Sequence, residues 1–378
     1  MPDPIRPGAT LGLLGGGQLG RMFALAARKM GYRVHALDPG EDCPAGQVAD
    51  LEIRAHFHDV AAAREMARGV AVMTVEFENI ASEMLEAVAE ICPMRPGAFV
   101  LHTVQQRLRE KTFLSGKGFP VTAFRAIDTE PDLRQAVQEL GLPAVLKTAS
   151  FGYDGKGQQK LTEATDLAAA FAALGGAQGI LEAWAPFEME ISVIAGRGEN
   201  GESCVWDVAE NAHAHHILDT TVLPARIPAA VAAEAQAMAV RIAEALGMVG
   251  VLCVEFFLLP GGKLLVNEIA PRPHNSGHAT IDASLTSQFE QQVRAVCGLP
   301  LGDTRLHQPA AMAQILGDLW PAEGEPAWER LLAFPDVKLH LYGKTDPRKG
   351  RKMGHLTALA ATPEAALEKV LRARAALA

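Results

Sequence analysis

The chain has 378 residues, enough for two or three domains with sizeable cores, and its 49% hydrophobic and 21% charged content reads as globular rather than disordered. A formal net charge of −9 argues against a general nucleic-acid or membrane-surface binder, while leaving room for a local basic pocket. Cys43, Cys92, Cys204, Cys253 and Cys297 are scattered without a C-x-x-C pair, so neither a disulfide framework nor a zinc site is suggested; with no signal-peptide pattern and no long apolar run, the expected location is the cytoplasm.

In chain order, the apolar run at 11–14 leads into Gly15, Gly17 and Gly20, spaced G-x-G-x-x-G. Glycines at this spacing permit a tight strand-to-helix turn and let a phosphate approach the positive end of the helix. A helical pattern over 21–30 and a strand over 32–37 follow, ending at Asp38, where a dinucleotide-binding fold carries its ribose acid. This β-α-β unit either binds a nucleotide or only packs a helix on a sheet. Strands near 51–53 and 70–77, with helices in the 60s and over 82–90, continue a parallel α/β domain. CPMRPG at 92–97 breaks the pattern, and QQRLREKTFL then starts a new helix.

From Pro120 the pattern becomes α+β, with hairpin-like pairs over 144–161, 189–208 and 251–269. After Gly298, Leu299 and Pro300 come a strand at 337–341, a basic loop and a final helix from Pro363. The expected division is 1–98, 99–298 and 299–378.

Four stretches carry chemistry. In AVLKTASFGYDGKGQQKL, residues 144–161, a strand ending at Lys147 enters a loop with Gly152, Gly155 and Gly157, and a second strand returns. Such a loop can close over a triphosphate with its N–H groups while the lysine supplies a point charge, although alone it equally fits a hairpin turn. In VLCVEFFLLPGGKLLVNEIA, residues 251–270, a turn at 260–263 pairs Leu259 with Leu264 and brings Glu255 opposite Glu268. Facing carboxylates in an apolar setting call for a cation, and Mg²⁺ with its preference for hard oxygen ligands suits them; a register slip would instead send one glutamate to solvent. APRPHNSGH, residues 270–278, crowds Arg272, His274, Asn275, Ser276 and His278 into a proline-stiffened loop suited to an anion. YGKTDPRKGRKMGH, residues 342–355, concentrates Lys344, Arg348, Lys349, Arg351 and Lys352, either as a phosphate clamp or as a solvated face.

Together and in this order, GGGQLGRM, VEFENI, the FGYDGKGQ loop, NEIAPRPHNSGH and GRKMGH resemble the N5-carboxyaminoimidazole ribonucleotide synthetase family of ATP-grasp enzymes over nearly the whole chain. The resemblance implies an α/β and α+β chain: a Rossmann-like pre-ATP-grasp domain, an ATP-grasp domain of two subdomains and a small C-terminal domain. It implies ATP-dependent carboxylation of 5-aminoimidazole ribonucleotide by bicarbonate through carboxyphosphate, by a homodimer in purine biosynthesis, with ATP and Mg²⁺ as cofactors.

By the same resemblance ATP is held by Arg107, Lys147, the loop Gly152, Tyr153, Asp154, Gly155, Lys156, Gly157 and Gln158, the segment Glu182, Ala183, Trp184 and Ala185 at the adenine, Glu190 at the ribose, and His213. Glu255 and Glu268 would bind Mg²⁺ beside Asn267, and Arg272, His274 and Asn275 would hold bicarbonate or carboxyphosphate. The ribonucleotide would meet Gln18, Leu19, Glu76, Tyr153, Asp154, Ser276, Lys344, Arg351 and Lys352, with Tyr153, Asp154 and Lys344 also counted in the catalytic set. Ala149 and Ser150 stand where the family often has a basic residue, and Ala185 where it often has valine. A formate-dependent glycinamide ribonucleotide transformylase shares the architecture, whereas HNSGH and GRKMGH favour the carboxylase. An NAD-dependent oxidoreductase would leave the paired glutamates and the basic tail without a role, and intact Lys147, Glu255 and Glu268 argue against a silent nucleotide-binding protein.

Overall fold

The computed structural model describes residues 3–150 and 157–377. The first unit runs β1 (Thr10–Leu14), α1 (Gln18–Lys29), β2 (Arg33–Asp38), β3 (Leu51–Arg54), α2 (Val60–Arg68), β4 (Val72–Val75) and α3 (Ser82–Ala89). Its strands form a parallel sheet in the order β3-β2-β1-β4. Leu19, Met22, Phe23 and Ala27 recur at helical spacing and bury one face of α1, as expected for a surface helix on a sheet. Helix α1 begins immediately after Gly17, three residues before the apolar periodicity suggests.

Two helices, α4 (Ala98–Val104) and α5 (Arg107–Gly116), lead to β5 (Phe124–Ile127), α6 (Glu130–Leu140), β6 (Ala144–Thr148), β7 (Gln158–Leu161), α7 (Leu167–Ala172) and β8 (Gly179–Ala183). The strands make an antiparallel sheet ordered β5-β8-β6-β7, packed on α6 and α7 through Leu133, Ala136, Leu146, Ala170 and Leu181. Helix α6 starts at a capping box, Thr129 accepting from the Asp132 N–H while Asp132 accepts from the Thr129 N–H.

A larger sheet follows, from β9 (Met189–Arg197), β10 (Ser203–Val205), β11 (Ala209–Ala214), β12 (Ile217–Leu223), α8 (Ala229–Ala245), β13 (Gly250–Leu258), β14 (Leu264–Ala270), α9 (Thr280–Ala283) and α10 (Gln288–Val296). The chain ends with β15 (Ala310–Leu316), α11 (Trp328–Leu332), β16 (Val337–Leu341), β17 (Lys352–Leu359) and α12 (Pro363–Ala375). The sheet order is β14-β13-β9-β11-β12-β15-β17-β16, with β10 beside β9. Because β15 pairs with β12, the C-terminal strands extend this sheet rather than building one of their own. The last part of the basic loop read from the sequence is strand: Lys352 opens β17.

The main core lies where Met238 and Ile242 of α8 meet Ile191, Val193, Leu252, Val254 and Phe256. A second core joins α1 to Phe289, Val293 and Val296 of α10, which ties the first unit to the large sheet.

Candidate active site

The hairpin β13–β14 sets the acidic end of the site. Leu258 pairs with Leu264 and Phe256 with Val266, so the register beside the turn is one residue away from that expected, where Leu259 faced Leu264. A β-bulge then shifts the ladder, and beyond it Glu255 does face Glu268. Leu264, Val266 and Ile269 enter the α8 core, a spacing of two and then three. The extra residue rotates Glu268 away from that core; an unbroken strand would have buried it there.

Burial, and then the neighbouring Glu268, push the Glu255 carboxyl up to about 8. Behind Glu268, burial and the same neighbour push Glu110 up to about 8. Three neighbouring carboxyls, two of them raised in pKa despite Lys111 and Lys352 nearby, fit a divalent cation with hard oxygen ligands. Among the described residues no three His, Cys, Asp or Glu side chains form a closed metal cluster, so further ligands would have to come from phosphate and water.

A second charged cluster lies on the small sheet beside α5. On β8 the buried Glu182 carboxylate stands 3.1 Å from the Lys147 ammonium, 3.4 Å from that of Lys111, and accepts from the Thr122 hydroxyl at 3.1 Å. Burial pushes its pKa up, but the two ammonium groups outweigh that and hold it at about 2. The Glu182 side chain is thus committed inward, and any adenine contact falls to the backbone after it. The N–H groups of Ala183 and Trp184 donate to Ala123 and Pro143, whereas that of Ala185 has no partner among the described residues. Trp184 is half-exposed under the Lys160 ammonium, 3.8 Å from its ring.

Arg107 starts α5 with its N–H on the Ala149 carbonyl, against the end of β6. Gly157 has φ +72, and a Cβ there would meet the Thr148 hydroxyl at 2.6 Å; Gln158 follows at the start of β7. Gly152, Tyr153, Asp154, Gly155 and Lys156 lie outside the described residues. Across the site, His213 Nδ1 is 2.8 Å from Glu190, which outweighs burial and raises the imidazole pKa.

The acceptor loop follows β14. Arg272 grips Glu78 with two N–H groups, at 2.7 and 3.2 Å. His274 Nε2 lies 3.5 Å from Glu255 and its Nδ1 2.9 Å from the Ser276 hydroxyl. Burial, then Arg272, hold this imidazole neutral, well below its usual pKa. The Ser276 hydroxyl also accepts from Ser192.

Gln18 joins three parts of the chain: its Nε2 donates to Asn275 Oδ1 at 3.3 Å, and its Oε1 accepts from Lys344 at 2.6 Å. Lys344 also donates to the Lys352 carbonyl. Arg351 turns toward Asp346, donating to its carbonyl at 2.7 Å. Leu19 sends its side chain into the α1 core, leaving only its backbone for a ligand.

The glycine turn departs from its reading as a phosphate cradle. Glu76 accepts from the Gly17 N–H at 2.5 Å and the Gly20 N–H at 2.9 Å, and Asp38 accepts from the N–H groups of Gly16 and Gly40. The protein's own carboxylates take the N–H groups of Gly16, Gly17 and Gly20, and Asp38 is spent on the turn instead of a ribose. This removes the basis for the dinucleotide reading. Glu76 is accordingly a capping group for α1, and the N–H groups of Gln18 and Leu19 stay without partners among the described residues.

Sequence reasoning missed Lys111, Glu110 and Glu78. Lys111 and Glu110 sit in the quoted QQRLREKTFL and Glu78 in VEFENI, but only tertiary contact reveals their roles.

Two antiparallel sheets closing on a buried lysine–glutamate cluster and a paired-carboxylate hairpin, behind a parallel α/β unit, define an ATP-grasp ligase. Family models match in the same order: a ribonucleotide synthetase preATP-grasp domain over 8–105, an ATP-grasp domain over 112–289, and a phosphoribosylaminoimidazole carboxylase C-terminal domain over 310–369. The N5-carboxyaminoimidazole ribonucleotide synthase of Bacillus subtilis is 47% identical over 353 residues, 93% of this chain and 92% of that one. That of Brucella melitensis is 44% identical, over 93% and 97%. Among solved structures, an ADP complex of an N5-carboxyaminoimidazole ribonucleotide synthetase superposes with a TM-score of 0.92 at 44% identity, covering 99% of this chain and 98% of that one. The Aspergillus clavatus enzyme in complex with ADP and 5-aminoimidazole ribonucleotide does so with 0.91 at 31% identity, covering 98% of each. The chain belongs to the N5-carboxyaminoimidazole ribonucleotide synthase family.

Proposed function

We propose that this ATP-grasp ligase carboxylates the exocyclic amine of 5-aminoimidazole ribonucleotide with bicarbonate, in purine biosynthesis. The observation that carries this is the continuity of hairpin and loop: Glu255 and Glu268 face each other, and the same strand runs on into Arg272, His274 and Asn275, with His274 3.5 Å from Glu255. A phosphoryl-transfer end and an anion-holding end therefore share one edge.

A bicarbonate oxygen attacks the γ-phosphorus of ATP, the bond to ADP breaks, and carboxyphosphate forms. The amine then attacks its carbonyl carbon, directly or as released CO₂, phosphate leaves, and the amine gives up a proton. Lys147, Arg107 and the loop 152–158 would neutralise the triphosphate, with Glu190 and His213 toward the ribose. Glu255 and Glu268, with Asn267 beside them, would hold Mg²⁺, which supplies charge neutralisation at the phosphates when bound. Arg272, Asn275 and a neutral His274 would orient bicarbonate and shield carboxyphosphate from water.

Gln18, the Leu19 backbone, Glu76 beside them at the start of α1, Ser276, Lys344, Arg351, Lys352, Tyr153 and Asp154 would hold the ribonucleotide. The same reading divides the work near residues 98 and 298, and has the enzyme act as a cytoplasmic homodimer. Among the described residues no helix is long and apolar enough to cross a membrane.

The test is phosphate release from ATP, Mg²⁺ and bicarbonate with and without 5-aminoimidazole ribonucleotide. Stimulation by that nucleotide is expected. Stimulation only by glycinamide ribonucleotide with formate would select the transformylase instead.

A further inference from the structure

The bulge that turns Glu268 out of the core is gripped from outside the sheet. Strand β14 is the edge strand, and the backbone groups flanking Glu268 are met by two adjacent residues of α5. Lys111 Nζ donates to the Asn267 carbonyl at 3.1 Å, and the Ile269 N–H donates to Glu110 Oε1 at 2.6 Å. Both side chains are almost wholly buried, at 1% and 2% exposure, an unusual cost for ionisable groups on a helix that could have packed with apolar ones. Lys111 also reaches Glu182 on the small sheet at 3.4 Å.

We propose that Glu110 and Lys111 are positioning residues that clamp the Asn267–Glu268 bulge and so aim Glu268 at the metal. The physical reason is register. A bulge leaves one residue unpaired and the ladder locally disrupted, and an unbulged strand would return Glu268 to the face occupied by Leu264 and Val266. Fixing the carbonyl before Glu268 and the amide after it removes that freedom on both sides. Partners behind a metal ligand typically contribute about 10–100-fold in metal affinity, and here they act on the ligand's backbone.

The proposal rests on the assignment of Glu255 and Glu268 to Mg²⁺ made above, and the experiment separates the two. Full-length wild type, Glu110→Ala, Glu110→Gln, Lys111→Met and Glu268→Gln are titrated with Mn²⁺ in the presence of ADP, free Mn²⁺ being read by electron paramagnetic resonance, with thermal unfolding as a check on folding. Glu110→Ala and Lys111→Met are each expected to weaken Mn²⁺ binding by about tenfold or more. Glu110→Gln, whose amide oxygen can still accept from Ile269, should stay within about threefold of wild type. Wild-type affinity in folded Lys111→Met or Glu110→Ala, with binding weakened in Glu268→Gln, overturns the clamp alone. Equal weakening in Glu110→Gln and Glu110→Ala also overturns it, because the hydrogen bond from Ile269, which the amide retains, would then not be what matters. Should Glu110→Ala not fold, Lys111→Met and Glu110→Gln decide. Unchanged affinity in Glu268→Gln overturns the metal assignment beneath it.

Discussion

Glu255 shows how burial beside a second carboxylate changes an ordinary side chain. A carboxyl pushed up to about 8 in the folded chain, against about 4.5 when exposed, holds its proton longer when folded. Its stabilising contribution is complete below about pH 4.5 and is lost as pH rises through about 8. A bound cation removes that loss by compensating the ionised form. The gap in Tm between protein saturated with Mg²⁺ and ADP and protein with neither should therefore widen as pH is raised from about 6 to about 8.5, as measured by calorimetry. A constant gap across that range would contradict the metal role. Glu268→Gln should lower kcat by about 100-fold in the phosphate-release assay, since the reacting phosphates lose a ligated positive charge.

At the scale of elements, the residue types of β6, β7, β13 and β14 could be read from alternating apolar runs and the glycines between them, and so could the pairing of two glutamates. The route to that pairing could not. The expected hairpin register is off by one beside the turn, and the bulge at Asn267 restores it, because local patterning says nothing of Glu110 and Lys111 arriving from α5. Strands β15 and β17 escaped notice for a similar reason: Ala310–Leu316 is buried along nearly its whole length, so it lacks the alternation that marks a half-exposed strand. The cores obey simpler rules. Ile242, fully buried beneath β9 and β13, should cost about 3 kcal/mol when changed to Ala, as read by urea unfolding.

For the whole molecule, the sequence singled out three distant stretches, around Gln18, Asn275 and Lys344, without showing what joins them. Gln18 does so, linking Asn275 of the acceptor loop to Lys344 near the C-terminal end. Gln18→Ala should raise KM for 5-aminoimidazole ribonucleotide by about tenfold, roughly the worth of one or two hydrogen bonds, and leave KM for ATP unchanged. An equal rise in both constants would mean that Gln18 supports the fold rather than the acceptor site.

The filled glycine turn has a mechanical consequence. Glu76 ties the end of β4 to α1, while Glu78, two residues on, ties the same segment to Arg272 on the large sheet. Arg95 adds a third rivet, donating to the Val296 carbonyl at 2.6 Å. The first unit is thus tied to the rest of the chain by side chains from several separate segments. The four-stranded sheet of β5 to β8 carries none of these rivets and meets α5 through the buried contact between Lys111 and Glu182.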